Sequence, residues 1–117
     1  MKKITFFIIS ITVLSTNSIA LAANPSSLSY EARDYIESQS LSALSCASNY
    51  STVEDVRLTY WDYRNNGLYV RGDYKIRGFW GRVSGAFKAT ITYDGQITWM
   101  SWKEPVASGT VSRSCLN

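Results

Sequence analysis

Between Leu68 and Arg77 two kinds of residue alternate without a break. Leu68, Val70, Gly72, Tyr74 and Ile76 take one parity, and Tyr69, Arg71, Asp73, Lys75 and Arg77 take the other. A period of two puts these sets on opposite faces of a strand. One face is apolar and the other is charged, the pattern of an antiparallel strand buried on one side only.

The flanking sequence supplies neighbours for that strand. Further strands are predicted over Val53–Tyr63, Arg82–Tyr93 and Gln96–Trp102, with a fifth over Gly109–Cys115. Asn65-Asn66-Gly67 reads as a three-residue turn, because that register sets Leu58 against Tyr74, Val56 against Ile76 and Tyr60 against Gly72. On the outer face the same register sets Trp61 against Arg71 and Tyr63 against Tyr69. A three-residue loop Tyr93-Asp94-Gly95 sets Ile91 against Ile97 and Ala89 against Trp99. Gly78-Phe79-Trp80-Gly81 joins the second and third strands, an unusual place for two bulky aromatics. Pro105 ends the fourth strand, since proline cannot donate to a ladder.

A helix from Leu28 to Ser48 supplies the cover for the apolar face. Leu28, Ala32, Tyr35, Ile36, Ala43, Leu44 and Ala47 fall close to one side at helical period. Ser27 or Ser29 is the expected cap, and Glu31 in the first turn suits the helix dipole. Serines at 38, 40, 42 and 45 lower the intrinsic propensity, so the helix depends on packing. The predicted fold is α+β: one N-terminal helix on a curved antiparallel sheet of four to five strands. This order resembles the cystatin-like fold, and with it some small bacterial periplasmic proteins of the colicin M immunity type. The resemblance lies in the layout and in a cysteine near each end, Cys46 and Cys115.

The start of the chain points to export. Lys2 and Lys3 precede the apolar run Ile4–Leu14, and Ala20-Leu21-Ala22 places small residues two apart. That is the pattern of a secretory signal peptide over residues 1–22, cut after Ala22. Residues 23–117 then form a single small domain in the periplasm or outside the cell. The run is short for a membrane span and no stop-transfer segment follows, so no stable membrane insertion is expected. In an oxidising compartment Cys46 and Cys115 are expected to form a disulfide. It would close a loop of roughly 70 residues, for which chain-entropy arithmetic puts the stabilisation at about 4 kcal/mol.

Charge narrows the choice of partner. Lys2 and Lys3 carry two of the three net positive charges, so the exported form is nearly neutral and nucleic acid is not an expected partner. The remaining charge is unevenly placed. Glu31, Asp34 and Glu37 face only Arg33 within their stretch, whereas Arg64, Arg71, Lys75, Arg77, Arg82 and Lys88 face only Asp73. One region is therefore electropositive, suited either to solvent or to an acidic partner.

No catalytic set is recognisable. The chain has no histidine, which removes the commonest general base and the usual nucleophile schemes. With both cysteines paired, no metal site and no cofactor is expected. Glu54 and Asp55 are adjacent and should point to opposite faces of a strand, and the preferred register puts Asp62 and Asp73 on opposite faces. A two-carboxylate glycosidase is therefore unsupported, and no enzyme is expected. The glycines from Gly78 to Gly85 open no helix and include no phosphate-loop lysine.

Aromatic residues are the excess: four Trp, eight Tyr and four Phe. Tyr35, Tyr60, Tyr74 and Phe87 are assigned to the core. Trp61, Tyr63, Tyr69, Arg71, Arg77, Phe79 and Trp80 are the candidate protein-binding residues, with Trp102 a further candidate. Trp, Tyr and Arg dominate interface hot spots; the same side chains also serve to cover a thin sheet. The expected function is binding of another protein, a toxin or an envelope enzyme, as an inhibitor or immunity-type factor. The competing readings are a carbohydrate or cell-wall binding module, which needs a coplanar aromatic platform, and an envelope or virulence accessory protein.

Overall fold

The structure is a computed structural model that describes residues 28–48, 51–79 and 81–116. The predicted signal peptide and Trp80 lie outside the described residues. One helix, α1 (Tyr30–Ala47), precedes five strands: β1 (Thr52–Arg64), β2 (Gly67–Gly78), β3 (Gly81–Thr92), β4 (Ile97–Glu104) and β5 (Ala107–Thr110). A single 3-10 turn follows over Arg113–Cys115. The strands lie in sequence order, each antiparallel to the next. The fold is thus α+β, one helix on a five-stranded antiparallel sheet. The fifth strand comes earlier than Gly109–Cys115 because Pro105 and Val106 make a two-residue reversal that sets Ala107 directly against Glu104. Cys115 has left the sheet by then, and it is bonded to Cys46 across a Cα separation of 5.6 Å. The bond ties the last turn of α1 to the end of the chain.

Ser29 caps α1, its hydroxyl accepting from the Ala32 N–H at 3.1 Å. Ala32, Ile36, Ala43 and Leu44 form the buried stripe, and two charged residues add a lock. Glu37 accepts from the Leu58 N–H at 2.8 Å, and Arg33 donates to the Leu58 carbonyl at 3.2 Å. These side chains cover part of the backbone of an edge strand, which would otherwise invite pairing with another chain.

The inner face of the sheet is built on cross-strand glycine–aromatic pairs. Gly85 stands opposite Tyr74, Gly72 opposite Phe87 and Gly109 opposite Trp102. A Cβ on Gly85 would lie 2.4 Å from the Tyr74 ring, and one on Gly72 would lie 2.6 Å from the Phe87 ring. Each ring therefore lies down over its glycine, and Tyr74 and Phe87 are 1–2% exposed at the centre of the core. The Tyr74 hydroxyl donates to Glu104 at 2.7 Å. Burial, reinforced by that carboxylate, raises the phenol pKa well above its ordinary value.

The β1–β2 register differs from the expected one. The turn has two residues, Asn65-Asn66, and Arg64 pairs with Gly67. Gly67 belongs to the strand, paired with Thr92 on its other side, and only glycine fits there because a Cβ would lie 2.0 Å from the Ile91 carbonyl oxygen. Two irregularities in β1, between Glu54 and Arg57 and between Leu58 and Tyr60, then shift the pairing. Leu58 faces Gly72 rather than Tyr74, and Val53 rather than Val56 faces Ile76. Asp55 at the first bulge has φ 56°, a left-handed conformation that Asp tolerates better than most residues. At the other end of the sheet, Ile91 faces Ile97 as expected. A bulge before Trp99 sets Met100, not Trp99, against Ala89.

Candidate binding face

The bulges decide which aromatics reach which face. Trp61 pairs with Val70 and Tyr63 with Leu68, so both lie on the inner side and pack against the core. Arg33 of α1 lies over the Trp61 ring at 5.4 Å. These two predicted contact residues thus help seat the helix. Tyr60, expected in the core, takes the outer position opposite Arg71 and is 42% exposed. Asp62, opposite Tyr69, shares the outer face with Asp73, so the expectation of opposite faces for that pair also fails. The two carboxylates are not neighbours there, since Asp62 is level with Tyr69 and Asp73 is level with Arg57.

The remaining predicted residues divide by place. Tyr69 and Arg71 are on the outer face. Arg77 is there too, at the hairpin end. Phe79 is 89% exposed at the tip of the β2–β3 hairpin, where Gly78 pairs with Gly81. Trp102 is half-buried against the core rather than on the outer face.

The outer face is ordered in rows across the strands. One row runs Tyr60, Arg71, Lys88, Ser101, Thr110 through all five. The next runs Arg57, Asp73, Ala86, Lys103, Ser108. Between them lies a groove of 860 Å³ whose walls include Tyr60, Arg71, Lys88, Ser101 and Lys103. Arg71 lies over the Tyr60 ring at 4.4 Å and Arg64 over the Tyr69 ring at 4.3 Å. The Tyr60 and Tyr69 rings meet edge to face, at 68° and 6.3 Å between centroids.

Two cross-strand pairs of like charge stand on this face, Arg77 opposite Arg82 and Arg71 opposite Lys88. The first is neutralised. Glu54 accepts from Arg77 at 2.7 Å and also from Arg82, while Asp55 accepts from Arg82 at 3.1 Å. The Asp55 bulge turns two adjacent carboxylates onto one guanidinium, where regular strand geometry would have sent them apart. Hydrogen bonds from Arg77 and Arg82 hold the Glu54 carboxyl below its ordinary pKa. The second pair has no carboxylate within ion-pair distance among the described residues, and neither has Lys103.

Sequence reasoning missed Tyr60, Lys103 and Trp99, which is 40% exposed, and counted Lys88 only in the electropositive stretch, not among the contact residues. Lys88 was within reach of the alternation rule, since Gly85, Phe87, Ala89 and Ile91 are the buried parity of β3. Among the described residues no group of three or more Cys, Asp or Glu is placed to hold a metal ion. No described helix is long and apolar enough to cross a membrane. Compared with models of known families, with curated proteins and with solved structures, the chain matches none of them.

Proposed function

We propose that this is an exported protein-binding domain of the inhibitor or immunity type, and that it meets its partner through the outer face of the sheet. One observation carries the reading. A five-stranded face with the helix on its other side presents Arg71, Lys88 and Lys103 without an ion pair among the described residues, next to Tyr60, Tyr69 and Trp99. Arg and Tyr or Trp around an open groove are the side chains that dominate protein interfaces. The Cys46–Cys115 bond supports folding in an oxidising compartment, and the helix-then-strands order accords with the cystatin-like resemblance. A binder rather than an enzyme is the reading that a histidine-free chain favours. A carbohydrate platform is disfavoured, because the Tyr60 and Tyr69 rings stand edge to face instead of coplanar.

The test is cross-linked capture of the tagged protein in the periplasm, wild type beside the variant Arg71→Glu/Lys88→Glu. One protein held stoichiometrically by the wild type, and weakened about tenfold or more by the variant, supports the reading. A partner held equally by both, or recovery of glycan alone, rejects it.

A further inference from the structure

We propose that Arg71, Lys88 and Lys103 form a subsite for carboxylate side chains, and that the partner fills it with an extended acidic segment laid across the strands. The inference rests on the outer face being the partner-binding face. Its basis is the contrast between the two like-charge pairs on β2 and β3. Like charges directly opposite in a ladder oppose folding. At Arg77 and Arg82 the fold supplies two carboxylates from the bulged strand alongside. At Arg71 and Lys88 no ion pair forms among the described residues, and Lys103 on β4 adds a third cation one register away. Asp73 lines the same groove but makes no ion pair with any of them.

The shape of the site favours a chain over a single small anion. The cations sit on three adjacent strands, Arg71 and Lys88 in one row and Lys103 in the next, so they are spread across the sheet and not gathered into a cup. Ser101 and Thr110 continue the row with hydroxyl donors as far as β5. Five strands at sheet spacing span about 19 Å, the length of an extended segment of about six residues. The Arg71 guanidinium is steadied by the Tyr60 ring, so less of its freedom is lost when a carboxylate docks on it.

The probe is a blocked hexaglutamate peptide titrated into the 15N-labelled protein, with hexaglutamine and inorganic phosphate as parallel titrations. The expected result is a set of shifts centred on Arg71, Lys88, Ser101 and Lys103 with hexaglutamate alone. Lys88→Gln should weaken that binding about fivefold, the effect of losing one surface ion pair, with no fall in the thermal melt, since the change also relieves the like-charge pair. Shifts spread evenly to Lys75 and Arg113 would show general charge attraction and overturn the proposal. Equal shifts with phosphate would make it a small-anion site and overturn the acidic segment. If hexaglutamate misses the site while Arg71→Glu/Lys88→Glu still abolishes partner capture, the binding face stands and this proposal falls. If hexaglutamate binds there and capture survives that variant, the carboxylate subsite stands and the partner-binding reading fails.

Discussion

On its inner side β2 buries Leu68, Val70, Gly72, Tyr74 and Ile76; on its outer side the same strand shows Arg71, Asp73, Lys75 and Arg77 to water. The inner residues are fitted to one another. Rings lie over glycines, the Tyr74 hydroxyl has Glu104, and α1 closes the layer. The outer residues are ion-paired toward the two ends of the face, where Glu54 and Asp55 meet Arg77 and Arg82 and where Asp62 meets Arg64. In the middle of that face Arg71, Lys88 and Lys103 make no ion pair among the described residues, although Asp73 lines the same groove. A change on the inner face should therefore be read in stability, and a change in the middle of the outer face should be read in binding.

That division can be broken from either side. Replacing both Cys46 and Cys115 with serine frees the helix from the chain end. It should cost about 2–5 kcal/mol in a denaturant titration. Gly85→Ala drives a Cβ into the Tyr74 ring and should cost about 1–3 kcal/mol by the same measurement. Lys88→Gln should change stability by no more than about 0.5 kcal/mol, since the side chain makes no ion pair among the described residues. A loss of several times that amount would mean Lys88 is part of the scaffold.

The smallest effect expected concerns Glu54. Its folded pKa lies below the unfolded value. Its contribution is therefore complete above the unfolded pKa and is lost as pH falls through the depressed folded one. Melting temperature followed against pH should show Glu54→Gln below wild type near neutrality. The two curves should converge in acid, below the ordinary glutamate range. Curves that stay parallel throughout would remove the neutralising role assigned to Glu54.

Much of the inner architecture was legible in the residues. The period of β2 predicts its two faces, Ser29 caps where a serine was expected, and the two cysteines form the bond expected of them. The outer face was only half legible, because a single register was carried along the whole of β1. The inward residues of that strand are Val53, Val56, Leu58, Trp61 and Tyr63. Their spacing is three, two, three, two. Each step of three is one residue too many for a regular strand, and each coincides with an irregularity in the ladder. Ile97, Met100 and Trp102 repeat the signal in β4. Read as bulges, those steps send Tyr60 outward and Trp61 inward. The open state of Arg71 and Lys88 was not legible at all, because it depends on where Glu54 and Asp55 are turned.

The most direct test of the account is lysine footprinting by acetylation, on the free protein and on its complex with the captured partner. Lys75, Lys88 and Lys103 all stand on the outer face, but Lys75 lies toward the hairpin end, bonded to Ser84 at 2.7 Å. The account predicts that Lys88 and Lys103 lose reactivity in the complex while Lys75 keeps that of the free protein. Lys88 and Lys103 reacting as fast in the complex as alone would contradict it.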